Sequence, residues 1–287
     1  MSPIMLGRDR DDAGSGALVD ALIEELERLP AQPSVAMGVV WVADEPHSSA
    51  RDLAGALTAD PSLTARVLRL ANSAYYGLSR RVADVGFAVT VVGFPTIRAM
   101  AAASASGLFE PGARAVPQGF WEHSVAVAAA CSALAVRAGV RAPEAFALGL
   151  LHDLGRALLF RTDPERYDAV AAEARAARAP LSRVERDAFG LGHDEAAARV
   201  FAAWRFPEDF IEAVSVHHSD PEGSLPPSAR VLMAAEAVAG RLTRLHPVQL
   251  EPESEAGLRA LHLTRAEGAA LANQVKDDVA QLMLAFS

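Results

Sequence analysis

The chain has 287 residues, of which 51% are apolar and only 6% aromatic, and carries a net charge of −9. That length buries a substantial core in one or two domains, and the alanine- and leucine-rich composition favours packed helices over sheet. The acidic balance counts against a broad polyanion-binding surface, although a local basic patch remains compatible with it, and nucleic acid is not an expected partner.

Cys131 is the single cysteine, which excludes an intramolecular disulfide and suits a reducing compartment. No apolar run approaches the ~20 residues of a membrane span, and no charged leader precedes one. The expectation is a cytoplasmic protein with no membrane contact.

Residues 1–16 are polar and glycine-containing, and read as a disordered N-terminus. From Ala17 the pattern turns helical: Leu18, Leu22, Ile23, Leu26 and Leu29 recur at helical spacing until Pro30 stops the run. Ser49 can cap the next helix, and Asp60-Pro61 supplies a cap and a first-turn proline for "SLTARVLRLANSAYY". "VGFAVTVVG" has strand-like local preference, but stands among helices and is read as one. "EPGARAVPQG", residues 110–119, is the best boundary, so that residues 17–110 and 119–287 form two helical lobes. Beyond it, helices are expected at roughly 120–139, 143–161, 164–178, 181–189, 193–204, 207–217, 227–244 and 265–285. The fold class is all-α.

The chemistry concentrates in histidines. His152 and Asp153 lie inside the apolar stretch "AFALGLLHDLGRALLF", where an ionisable pair is costly unless paired or metal-bound. Residues adjacent on a helix point about 100° apart, so both reach one ion only if it sits beside the helix. Gly149 and Gly155 flank the pair and thin the helix surface, letting other elements approach. His123 opens the first helix after the boundary, His193 follows "FGLG" at a helix start, and His217-His218 end a helix. One of those last two is expected to face away from any site the other faces. Such ligands suit divalent iron, manganese or zinc, and magnesium by charge. Each position also has a plainer use. His152-Asp153 can be a hydrogen-bonded packing pair, His193 a helix cap and His123 a packing residue.

The order H…HD…H…HH resembles the HD superfamily of metal-dependent phosphohydrolases, including its HD-GYP branch of cyclic-dinucleotide phosphodiesterases. The segment after His217-His218 reads "SDPEGSLPPS", without the GYP-type signature. In the helix where that superfamily places a ligating aspartate, "ARVLMAAEAVAG", the nearest acid is Glu236, a longer side chain that would shift a metal or fall short of it. The first lobe selects the branch. Asp60, Pro61, Leu63, Leu68, Leu70, Ala71, Asn72, Ser73, Tyr76 and Gly77 stand in the arrangement of the HDOD family, the HD-related output domains. "LGLLHDLGRALL", "GHDEAAARVFAAWRFPEDF" and "AVSVHH" continue the likeness, which spans about residues 27–242.

That resemblance implies a bacterial signal-transduction module acting through protein or ligand binding without catalysis. The alternative it carries is a metal-dependent phosphohydrolase for phosphodiester or nucleotide substrates. The implied ligand set is His123, His152, Asp153, His193, His217, His218 and Glu236; no catalytic residue is assigned.

Outside the histidines, Arg66, Arg69, Arg80, Arg81 and Arg98 sit in an arginine-rich stretch. It reads either as a solvated face with ion pairs or as a weak anion site for a nucleotide second messenger. Asn72, Ser73, Tyr75, Tyr76 and Gly77 form a helix end suited to the interface between lobes. The apolar stripe of the last helix, from Leu271 to Phe286, serves either its own lobe or a homodimer. Signalling protein partners are expected.

Overall fold

In the computed structural model, residues 21, 23–24, 34–78, 81–109, 116–219, 225–242 and 251–286 are described. The expected disordered N-terminus lies outside them, as do Arg80, residues 110–115 of the boundary segment and most of the helix expected from Ala17. Among the described residues there is no strand.

Before the expected boundary segment lie α1 (Val35–Asp44), α2 (Ala50–Thr58), α3 (Pro61–Ala71), α4 (Val85–Val92) and α5 (Phe94–Ala105). Side-chain caps start the first four. Ser34 accepts the Met37 amide, Ser49 and Asp52 form a reciprocal capping box, and Asp60 and Asp84 accept from Leu63 and Phe87. The valine-rich α4 is a helix, because Asp84 caps it and its Ala88, Val89 and Val92 face the core. Gly93, at φ 86°, turns the chain through 104° into α5. That backbone conformation disfavours a residue with a Cβ.

After it come α6 (Phe120–Leu134), α7 (Ala142–Leu151), α8 (Leu154–Thr162), α9 (Pro164–Ala177), α10 (Leu181–Phe189), α11 (His193–Ala203), α12 (Glu208–Val216), α13 (Pro227–Ala239), α14 (Glu251–Ala260) and α15 (Arg265–Phe286). The sequence pattern did not anticipate α14, which packs on α13. Helix α6 is buried almost all round and touches α7, α13 and α15. Its alanines let neighbours come close: a Cβ on Gly149 of α7 would lie 2.7 Å from Ala128 Cα.

One hydrophobic core runs from Ile23 to Phe286. Helix α5 packs on α7, and α15 reaches back past α6 to α3, where Arg66 donates to the Ala285 carbonyl at 3.3 Å. The Tyr75 hydroxyl donates to Ser132 of α6 at 2.6 Å, and its ring lies 5.7 Å from that of Phe146. The tyrosine segment therefore packs against α6 and α7. No single helix among the described residues is long and apolar enough to cross a membrane.

Candidate metal centre

The helix expected across residues 143–161 is broken at its chemically important point. Helix α7 stops at Leu151, His152 closes it, and Asp153 (φ −93°, ψ 13°) leads into α8. The break removes the 100° constraint of a continuous helix, so both side chains enter one enclosed space. Gly155 explains how α11 gets there: a Cβ on it would collide with the His193 carbonyl. Only a hydrogen at that position lets the start of α11 dock against the start of α8.

All seven histidine and carboxylate candidates converge. His152, Asp153, His193, His217, His123 and Glu236 are buried, and His218 is partly so. Their ligand atoms form two groups, each within 4.8 Å internally: His123, His152 and Glu236 in one, and Asp153, His193, His217 and His218 in the other. Asp153 faces both. Its Oδ1 lies 3.5 Å from the Nε2 atoms of His152 and His193, and its Oδ2 is 3.6 Å from His123 Nε2.

Two expectations need correcting. Glu236 does not fall short: Oε1 is 2.5 Å from His152 Nε2 and 3.0 Å from His123 Nε2. The extra methylene is absorbed by its position on α13, which packs directly on α6 and α7. Nor does one of His217 and His218 point away. His217 caps the end of α12, and the chain leaves the helix there, so both rings turn inward with centroids 4.0 Å apart.

The ring tautomers are set from outside. His152 Nδ1 donates to the Gly149 carbonyl at 2.8 Å, and His217 Nδ1 to the Val214 carbonyl at 2.6 Å. His193 Nδ1 meets Glu185 Oε2 at 2.5 Å. Each contact engages Nδ1 and leaves Nε2 facing inward. The buried Nε2 of His217 has no hydrogen-bond partner, whereas that of His152 lies against Glu236 Oε1. His193 and His218 present Nε2 to Nε2 at 3.0 Å, an arrangement that needs a shared proton or a cation. The orphaned His217 nitrogen and the other inward-facing ring nitrogens, beside two buried carboxylates, are a donor set that fits a divalent metal.

Electrostatics divides the histidines. Burial disfavours the charged form of His152, yet Asp153 and Glu236 outweigh it and raise its pKa to about 9. His193 is likewise opposed by burial and raised by Glu185 and Asp153. His217 goes the other way: burial, then the charges on His152 and His193, lower it to about 4. Burial and the same kind of repulsion push His218 well below its usual value. Glu236, despite burial, is held well below the ordinary carboxylate range by His123 and His152.

Sequence reasoning missed the layer behind these groups. Arg156 donates to Asp153 Oδ2 at 2.8 Å and to the Tyr167 hydroxyl at 3.0 Å; that hydroxyl donates to Glu185 Oε1 at 3.0 Å. Glu185 Oε2 also accepts the His193 amide at 2.9 Å. Asp153, Arg156, Tyr167, Glu185 and His193 thus close a buried ring. The available signal was Glu185 itself, an acid on the stripe of α10 that carries Ser182 and Phe189 into the core.

The arginine-rich stretch is divided among other tasks. Arg66 stacks on Phe109, and Arg98 pairs with Asp44 and donates to the carbonyls of Trp204 and Arg205. Arg69 and Arg81 are exposed.

A helical bundle of this kind, with histidines and carboxylates from α6, α7, α8, α11, α12 and α13 meeting at its centre, defines an HD-type protein. The chain matches the HDOD domain over residues 29–220, and belongs to that family. Its fold is shared by a protein from Shewanella amazonensis SB2B provisionally named a phosphohydrolase, at TM-score 0.70 and 23% identity, over 93% of this chain and 98% of that one. A protein from Marinobacter aquaeolei VT8, provisionally named in signal transduction, aligns at TM-score 0.70 and 22% identity over 96% of this chain and 66% of its own. An HDOD domain protein of unknown function from Geobacter sulfurreducens aligns at TM-score 0.64 and 23% identity, over 95% and 97% of the two chains. In sequence, an uncharacterized protein of Treponema pallidum (strain Nichols) is 23% identical over 79% of this chain, which spans only 44% of that relative's length.

Proposed function

We propose that this protein is a bacterial signal-transduction output module that holds a divalent metal (iron, manganese or zinc) in its core and acts through protein or ligand contacts without catalysis. The observation that carries this reading is enclosure. His152 is 0% exposed, and His123, Asp153, His193, His217 and Glu236 are no more than 4% exposed. A catalytic metal site keeps an open position for substrate, whereas a structural one is closed by its own side chains. His152, Asp153, His193, His217, His218, His123 and Glu236 would hold the metal. Arg156, the cation nearest the pair, is engaged by Asp153 and Tyr167 rather than presented to a phosphate.

The second reading, a metal-dependent phosphohydrolase, draws support from Asp153, whose two oxygens face the two donor groups. A metal there would supply activation of water and polarisation of a phosphoryl oxygen. In that case His218, the partly exposed member, marks the side from which substrate enters.

Elemental analysis of the purified protein and of His152→Ala/Asp153→Ala tests both readings, together with turnover of bis(4-nitrophenyl) phosphate. Metal lost in the variant, without turnover in the wild type, supports the output module. Metal-dependent turnover sinks the non-catalytic reading. Protein that stays folded yet metal-free after metal is offered removes the metal from both.

A further inference from the structure

Asp153 stands between the two donor groups, and its two oxygens are unequally placed. Oδ1 lies 3.5 Å from His193 Nε2 and 4.0 Å from His217 Nε2, on the side of the group that His218 completes. Oδ2 faces the other group, but it already accepts from Arg156 Nη1 at 2.8 Å, and that arginine is only 6% exposed. A second ion on Oδ2 would lie beside this fixed positive charge, in an interior that screens poorly.

Spacing separates the groups as well. An ion that holds nitrogen and oxygen at roughly 2.0–2.2 Å in tetrahedral order keeps its ligands about 3.4 Å apart. Asp153, His193, His217 and His218 straddle that value, with pairs at 3.0, 3.5 and 4.0 Å. In the other group Glu236 Oε1 lies 2.5 Å from His152 Nε2 and 3.0 Å from His123 Nε2, so these side chains close on one another without an ion-sized gap.

Charge gives the same count. Among the described residues, the buried carboxylates are Asp153, Glu185, Asp194 and Glu236, and the buried guanidinium groups are Arg98 and Arg156. Arg98 is paired with Asp44, and Asp194 with Arg186. That leaves Asp153, Glu185 and Glu236 against Arg156 alone. With neutral histidines, one divalent cation cancels the excess. A second would strand positive charge in the core, where uncompensated charge is costly.

We propose that the centre takes a single divalent ion per chain, held by Asp153 Oδ1, His193, His217 and His218, and that Arg156 is the specificity-determining residue that occupies the place of a second. This assignment rests on the metal reading above, and it leaves His123, His152 and Glu236 as the wall beside the ion.

The full chain, stripped with a chelator and dialysed against zinc(II) or manganese(II), gives the count by elemental analysis. One equivalent is expected, and the paramagnetic resonance of the manganese form should be that of an isolated ion. Two equivalents, or the spectrum of a coupled pair, would overturn the single-ion assignment and leave the metal reading standing. No uptake of either metal would overturn both. These arms need no variant. Arg156→Gln keeps a donor for Asp153 and removes the charge, so it should admit a second, weaker equivalent. A folded Arg156→Gln protein that still takes one would show that Arg156 does not set the count. His218→Ala, at the partly exposed ligand, should weaken binding by more than the roughly 10–100-fold typical of an outer partner. Undiminished affinity in that variant, read by chelator competition, would sink the ligand set.

Discussion

Glu236 Oε1 approaches His152 Nε2 to 2.5 Å, joining the middle of α13 to the break between α7 and α8. The contact is buried on both sides, so each group relies on the other, and on Asp153 and His123, to compensate for lost hydration. In metal-free protein, Glu236→Gln should therefore cost about 3–5 kcal/mol, the usual penalty for leaving one partner of a buried ion pair uncompensated. Urea unfolding in the presence of a chelator measures it. A change below about 1 kcal/mol would show that this carboxylate does not hold His152.

The opposing shifts of the histidines give metal-free protein a stability maximum in pH. His152, raised to about 9 from 6.5, contributes fully below pH 6.5 and loses its contribution as pH rises through 9. His217, lowered to about 4, contributes fully above pH 6.5 and loses its contribution as pH falls towards 4. The two slopes meet near pH 6.5. Unfolding free energies at about pH 5, 6.5 and 9 should form a peak, and a steady rise across that range would contradict the assigned charges.

Glu185 should act as a positioning residue for His193. Glu185→Gln keeps the shape and the acceptor for the backbone amide, yet removes the charge that orients the imidazole. If a metal is held here, affinity should fall about 10–100-fold, as when outer carboxylates of metal-bound histidines are replaced. Chelator competition reads this directly. Tyr167→Phe, which removes one link of the ring, should give a smaller loss.

Gly155→Ala should be severely destabilising, by at least about 1–3 kcal/mol, because its Cβ has no space beside the His193 carbonyl. Thermal unfolding checks the cost. A neutral result would mean that α8 and α11 separate more easily than their packing indicates.

Much of the helical layout was legible in one dimension. Ser49 and Asp60-Pro61 cap the helices that follow them, and α10 spans the expected residues 181–189. These are signals between near neighbours, so periodicity and capping carry them. The break at His152-Asp153 was not legible, since the apolar run on both sides of the pair reads as one continuous helix. It arises because Gly155 admits α11 and because the two side chains gain partners on other helices. Helix α14 escaped for a similar reason: Gly257 reads as a breaker, yet it is what lets that helix lie against Met233 of α13.

For the centre, residue types named the histidines and Asp153, because few other side chains suit buried divalent-metal chemistry, and the resemblance to the HD superfamily named Glu236. Their order matched a known family through motifs that neighbouring residues spell out. Only the tertiary structure could bring Glu236 up to His152, turn both His217 and His218 inward, and place Glu185 and Tyr167 behind His193. Those relationships depend on how far apart α6, α7, α11 and α13 lie. That spacing is set by alanines and glycines at the helix crossings, through contacts that a linear pattern does not encode.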